Sequence, residues 1–364
     1  MTSSTDLGTA PAPATARTAG APARIRVGIV GATGYVGGEL VRLLAAHPSV
    51  ELVGLTGRGR QGDPIGGVHP HLATTDLSLE SDLEGAVDAV FLALPHGTAA
   101  TRAPELLAEG ITIIDQGPDF RLADPADYPR WYGFEHPHPE LLARAVYGLP
   151  ELHRTALVEA AAARAGGTPA LVGSPGCYPT ATVLALAPLA RAGLIADVVV
   201  DAKSGVSGAG REAKAEMLYA EVNESVRAYG LFNHRHTAEM EQELGLEGLD
   251  FLPHLIPMTR GILAAGHVRP TRPISQAELD ALYAEAYANE PFVTVVDAPP
   301  ATGHVLGSNH ARVFVRADER TGRILAIGVI DNLVKGAAGQ GVQAFNLVFG
   351  LPETAGLEAL PLAP

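Results

Sequence analysis

The stretch RIRVGIVGATGYVGGELVRLLAAHP, Arg24–Pro48, joins a short β run (Ile25–Val30) to an amphipathic helix with Leu40, Val41, Leu43 and Leu44 on its apolar side. The helix is expected to stop near His47-Pro48, since a proline disfavours helical backbone before it. Gly31, Gly34 and Gly37 stand at the junction. Gly31 permits a tight turn, Gly34 lets backbone approach a pyrophosphate, and Gly37 lets strand and helix pack closely. The helix N-terminus then offers unpaired N–H groups and a positive dipole end to phosphate. Thr33, Tyr35 and Val36 complete this candidate dinucleotide turn. A glycine trio alone also fits any tight βα turn. The second strand that follows, VELVGLT (50–56), points to dinucleotide binding.

The end of that second strand selects the cofactor. A site for NAD usually carries an acidic residue there, to bind the ribose 2′-hydroxyl. Here Glu51 begins the strand, and TGRGRQG ends it with Arg58 and Arg60. Arginine suits a 2′-phosphate, so the expected cofactor is NADP(H), with Arg58 as the contact. Two more βα units follow. DAVFLALPHG is a buried strand and turn, with TAATRAPELLAEG as its helix, and ITIIDQGPDFRL is a strand with Asp119 and Arg121 in its loop. Ligands in such sheets lie beyond the carboxyl ends of the strands, which places Pro95, His96, Gly97 and Arg121 near the site.

The chain has 364 residues, 47% of them apolar, and no continuous apolar run near the ~20 residues that span a bilayer. Its net charge of −14 argues against general nucleic-acid binding, which needs a basic face. Any anionic substrate must therefore be held by local arginines and helix N-termini. One cysteine permits no internal disulfide and fits a reducing, cytoplasmic setting. Residues 1–23 are rich in Ala, Pro and Thr without a hydrophobic core, and are expected to be a disordered tail.

That cysteine, Cys177, sits in VGSPGCYPT just before ATVLALAPLARAGL, which reads as a helix that Pro188 should bend or interrupt. An unperturbed thiol with pKa ~8.5 is only about 3% ionised at pH 7. A nucleophilic role therefore calls for a lowered pKa, from the helix dipole and a nearby imidazolium. The candidate partner is NHRHTAEMEQEL, where His234 and His236 share a face if the segment is extended and Thr237 is placed to cap a helix. His-x-His with Glu239 also has the makings of a metal site, but no second Cys/His cluster completes it, and no metal is expected. Between these motifs, DAKSGVSGAGR is a strand and small-residue loop carrying Lys203, Ser204, Ser207, Gly208 and Arg211. FLPHLIPMTRGIL adds His254 and Arg260. NHARVFVRADERTGRILAIGVIDN reads as two strands around a turn, and DNLVKGAAGQGVQAFNLVFG as a terminal helix packed back on the first domain.

Taken together, GATGYVGGE, ALPHG, DFRL, GSPGCYPT, DAKSGVSGAGR, HRH, PHLIPMTRGI and DNLVKGAAGQ resemble the N-acetyl-γ-glutamyl-phosphate reductase family, related to aspartate-semialdehyde dehydrogenases. The similar segments run in family order from about Arg24 to Gly350. The resemblance implies an α/β fold. A Rossmann dinucleotide-binding domain (24–176 and 331–364) is joined by its returning C-terminal helix, and a mixed α/β domain (177–330) carries catalysis and the subunit interface. It implies NADPH-dependent reduction of a small-molecule acyl phosphate to a semialdehyde, in arginine biosynthesis, by a homodimer or homotetramer. Residue by residue it makes Cys177 the nucleophile and His236 the acid/base. Asn332, with Pro95, Ser207 and Gly208, falls to the cofactor site. Arg121, Lys203, Arg211, His234, Glu239 and Arg260 fall to the substrate, Arg121 on its phosphate. This chain departs from the family in having Gly117-Pro118 before DFR, which puts the Arg121 loop in question, and Ala238 after HRH. Rival readings are a reductase of aspartyl or N-acyl-aminoadipyl phosphate, and a non-catalytic NADP-binding sensor.

Overall fold

The computed structural model describes residues 24–83 and 85–362. The expected disordered tail, 1–23, lies outside the described residues. The first half of the chain builds a seven-stranded sheet from β1 (Ile25–Val30), β2 (Val50–Thr56), β3 (Leu79–Glu80), β4 (Ala89–Leu92), β5 (Thr112–Asp115), β6 (Val146–Tyr147) and β7 (Leu171–Gly173). Their order is β3-β2-β1-β4-β5-β7-β6, and all neighbours are parallel. β4 and β5 are buried along their whole length, as a parallel sheet covered on both faces requires. Helix α1 (Tyr35–Ala45) follows β1, α2 (Thr98–Ala108) follows β4, and α3 (Pro150–Ala165) precedes β7. Successive β4 residues alternate between the two covers. Phe91 packs with Leu40, Leu44 and Phe345, whereas Val90 and Leu92 pack with Ala103 and Leu107.

The second sheet is mixed: β8 (Ile195–Gly205), β9 (Arg227–Ala228), β10 (Asp250–Ile256), β11 (Ile262–Pro270), β12 (Val293–Val295), β13 (Ala311–Asp318) and β14 (Arg323–Ile330). The order is β12-β13-β14-β11-β8-β10-β9. Helix α4 (Cys177–Arg191) lies across its inner face, against Val198, Val200, Ala202 and Ala264. The approach is close enough that a Cβ on Gly328 would stand 2.1 Å from the Ala181 carbonyl oxygen, so only glycine serves there. Helices α5 (His236–Leu244) and α6 (Gln276–Tyr287) pack beside α4. On the outer face an apolar cluster gathers Phe314, Ile327, Val329 and Val305.

Two expectations change. Of the two effects expected of Pro188, interruption does not occur: α4 runs on to Arg191. Proline removes the N–H that would bond the Leu184 carbonyl, and the Tyr287 hydroxyl on α6 donates to that oxygen instead. The returning segment is also not one helix over 331–350. Asn332 lies in a connection, Val334–Ala338 form a single π-helical turn, and α7 (Gly339–Val348) packs on the first sheet.

Candidate active site

The carboxyl ends of β1, β4, β5 and β7 open on one cleft of about 340 Å³. Its floor at β1 is the glycine turn. Gly31 has φ +91°, and a Cβ there would lie 2.2 Å from the Ala93 carbonyl oxygen. Gly37 is pressed on Gly31 oxygen, at 2.3 Å from an added Cβ. Gly34 is different: its added Cβ would meet nothing nearer than 3.7 Å, and the open space belongs to the cleft. No side chain caps the first turn of α1, which leaves its N–H groups free for a phosphate. A pyrophosphate fits this cradle. Gly34, Tyr35, Val36 and Gly37 line the cleft, with Thr33 beneath, bound through its carbonyl by Arg211. Arg58 is exposed just past β2, where Gly57 touches Thr33, and no ion pair engages it among the described residues. Pro95 is exposed at the rim, while its neighbour His96 lines the cleft.

β7 ends in Ser174-Pro175-Gly176, and Cys177 starts α4. The Gly176 N–H donates to Glu239 Oε2 (2.9 Å). His236 begins α5 and is buried, with its Nε2 so close to this turn that a Cβ on Gly176 would stand 2.5 Å away. The expectation of an extended His-Arg-His with Thr237 as cap does not hold, because the helix already starts at His236. The two rings still meet, 4.8 Å apart, and the His236 N–H donates to His234 Nδ1 (3.2 Å).

Arg121 is buried, lines the cleft, and donates to Ser174 O (2.6 Å), Gln116 O (2.8 Å) and Glu239 Oε1 (3.1 Å). Gly117 and Pro118 thus do not take Arg121 away from Cys177; both residues line the same cleft. Arg235, between the two histidines, also lines it and donates from Nη1 to His96 Nε2 (2.6 Å). Arg121 and Arg235 both line the cleft, and among the described residues only Arg121 pairs with a carboxylate, so the site is locally cationic within a chain of net charge −14. Burial pushes His96 and His234 each down to about 4, with Arg235 adding to both. It pushes His236 well below its usual value, aided by His234 and Arg121. The expected thiolate is corrected too. Burial pushes the Cys177 thiol up to about 11, and the opposing pull of Arg121 does not offset it. The free site holds a neutral thiol and a neutral imidazole.

Four expected substrate residues do other work. Glu239 is fully buried, and its two oxygens accept from Arg121, Tyr132 (3.3 Å), Tyr147 (3.0 Å) and Gly176. No lone pair is left for a ligand, so Glu239 positions the turn. Arg260 donates to Glu39 Oε2 on α1 (2.8 Å) and lies outside the cleft. Arg211 lines the cleft but donates to Thr33 O (2.9 Å) and Val68 O (2.8 Å), clamping the glycine turn. Lys203 pairs with Asp201 on the opposite face of the second sheet (2.5 Å). Ser207 and Gly208 line the cleft, as does Asn332, whose side chain donates to Ser207 Oγ (3.0 Å) and accepts from Gly261 N (2.7 Å). Sequence reasoning passed over Arg235, although it stands between the two histidines already singled out, and Tyr132 and Tyr147, for which no local signal existed.

A second cavity of about 480 Å³ meets the first at Cys177, Gly208, Arg235 and His236. Its far wall has Trp131, Tyr178, Lys214, Arg227, Tyr229 and His234.

Comparison with known proteins agrees with this architecture. Residues 26–160 match the family model for the semialdehyde dehydrogenase NAD binding domain, and 177–332 that for the semialdehyde dehydrogenase dimerisation domain. The N-acetyl-gamma-glutamyl-phosphate reductase of Desulforudis audaxviator is 51% identical over 92% of this chain and 98% of its own. The protein of the same name from Dehalococcoides mccartyi is 46% identical over 94% and 99%. Among solved structures, aspartate semialdehyde dehydrogenase II of Vibrio cholerae shares the fold, with TM-score 0.67 at 18% identity over 90% of this chain and 98% of that one. With the fold, the cleft and near-complete coverage by these relatives in agreement, the chain belongs to the N-acetyl-γ-glutamyl-phosphate reductase family.

Proposed function

We propose that this chain reduces N-acetyl-γ-glutamyl phosphate to the semialdehyde and phosphate, with NADPH as reductant, through a thioester on Cys177. The observation that carries this is the meeting of a thiol, an imidazole and two arginines in the cleft that opens from an uncapped glycine turn. NADPH would be held by the Gly31–Gly37 turn with its 2′-phosphate at Arg58, and its nicotinamide end beside Asn332, Ser207 and Gly208. When bound, it supplies the hydride that takes the thioester carbon to the aldehyde level. The acyl chain would occupy the second cavity, leaving its reacting carbon at Cys177 where the two cavities join.

The residues' work follows from the neutral resting pair. Cys177 Sγ attacks the acyl carbon while its proton passes to His236, whose imidazole is neutral and so open to it. The bond from the acyl carbon to the phosphate oxygen breaks, and the proton goes on to the departing phosphate. Arg121 and Arg235 stabilise its charge, the guanidinium fork suiting two charge-assisted bonds. After reduction, the carbon–sulfur bond breaks, the aldehyde leaves, and His236 returns a solvent-derived proton to the sulfur. Glu239 takes no part in proton transfer; it holds Arg121 and the Gly176 turn in register.

We further infer that 24–176 with 331–364 form the cofactor domain and 177–330 the catalytic one, which fits the return of α7 to the first sheet. A homodimer through the outer face of the second sheet fits its apolar cluster. A cytoplasmic site of action suits the single unpaired thiol. Among the described residues no helix is long and apolar enough to cross a membrane. The test is turnover of N-acetylglutamyl, N-acyl-aminoadipyl and aspartyl phosphates by wild type and Cys177→Ser. Preference for the first, lost in the variant while NADPH still binds, is expected. Residual turnover in Cys177→Ser above about 1% would overturn the covalent route.

A further inference from the structure

Opposite the cleft, the chain buries a charge that the reaction does not use. Lys335 is completely inaccessible, and its Nζ donates to Glu151 Oε1 and to Gln343 Oε1, both at 2.6 Å. The ammonium also stands 5.7 Å from the centre of the Phe292 ring. Glu151, on α3, is equally hidden, and its Oε2 has no partner among the described residues. A buried pair of this kind contributes little net stability, since desolvation of both ions offsets their attraction. What it does supply is direction, because both acceptors must be met at once.

The direction matters because of where Lys335 sits. It occupies the π-helical turn Val334–Ala338, in which the Gly336 and Ala338 N–H groups reach back to Asp331 O (2.9 Å) and Leu333 O (3.0 Å). Such widened turns are rare and are frequently found at functional sites. The next residue, Gly336, is pressed on the nucleophile: a Cβ there would lie 2.9 Å from Cys177 Cβ. Asn332, Leu333, Gly336 and Ala337 of the same stretch line the cleft. One turn thus has the reacting thiol on one side and the ion pair on the other.

We propose that Lys335 and Glu151 are a positioning pair, which sets the π-turn against Cys177 and thereby aligns the thiol with the bound reductant without contributing to the binding of either ligand. The proposal rests on the function given above, so its test includes a readout independent of turnover. In Lys335→Met/Glu151→Met both charges go together, leaving no unpaired ion. Glu151→Gln removes one charge at constant volume and serves where the double variant does not fold. The expected result is a near-native melting temperature in the double variant, a lower one in Glu151→Gln because the buried Lys335 ammonium loses its counter-charge, and NADPH affinity within twofold in both. Beside these, kcat falls 10- to 100-fold with KM little changed, the isotope effect from deuterated NADPH rises, and the iodoacetamide labelling rate of Cys177 in the free protein changes at least threefold. Labelling is read whether or not any acyl phosphate is turned over, so failure of the proposed reaction and failure of the pair are told apart. A wild-type labelling rate in the variants that fold, or a kcat loss matched by an equal rise in KM, would overturn the proposal.

Discussion

Replacing Glu239 by glutamine separates positioning from substrate contact. The carboxylate accepts four hydrogen bonds in full burial, two at each oxygen. An amide keeps the shape but turns one of those oxygens into an NH₂ group, so two donors face a donor whichever way it is oriented. It also removes the counter-charge of buried Arg121, and breaking such a pair from one side costs ~3–5 kcal/mol. At roughly 2 °C per kcal/mol for a chain of this size, the melting temperature should fall by about 6–10 °C. The thiol should respond in the opposite sense to damage. Glu239 is one of the groups that raise the Cys177 pKa, and Arg121, freed of its partner, lowers it. The pH midpoint of iodoacetamide labelling should therefore move down from about 11, while kcat falls because the Gly176 turn has lost its anchor. Scanning calorimetry and labelling rates between roughly pH 7 and 11 measure both quantities. A melting loss under about 2 °C, or a midpoint that stays or rises, would refute the role given to Glu239.

Three further outcomes are expected. Gly37→Ala puts a methyl group 2.3 Å from the Gly31 carbonyl oxygen, backbone against backbone, and should weaken NADPH binding more than tenfold in a fluorescence titration. Arg58→Ala should weaken NADPH at least tenfold and NADH less than twofold; equal losses would reject the 2′-phosphate contact. Arg260→Met should leave the substrate KM within twofold but lower the melting temperature by about 2–6 °C, since buried Glu39 loses a charged donor.

Local chemistry made much of this protein legible before any coordinates. The buried runs of β1, β2 and β4, the glycine turn at 31–37, the hairpin of β13 and β14, and a cysteine at a helix start each declare themselves within a few residues, because backbone sterics and side-chain period act over that range. The reach of a charged side chain does not. Arg121 and Arg235 arrive at Cys177, while Arg260, Arg211 and Lys203, which look similar in sequence, are taken up by Glu39, backbone carbonyls and Asp201. Arg260 and Arg211 find partners more than a hundred residues away, set by how the two sheets dock, whereas Lys203 pairs with a residue two places back on its own strand. The same docking decides the resting charge of the site. A helix N-terminus and a neighbouring imidazole suggest an ionised thiol, but that imidazole is itself neutral, and the packing of α4, α5 and the π-turn around the half-buried Cys177 pushes its thiol up.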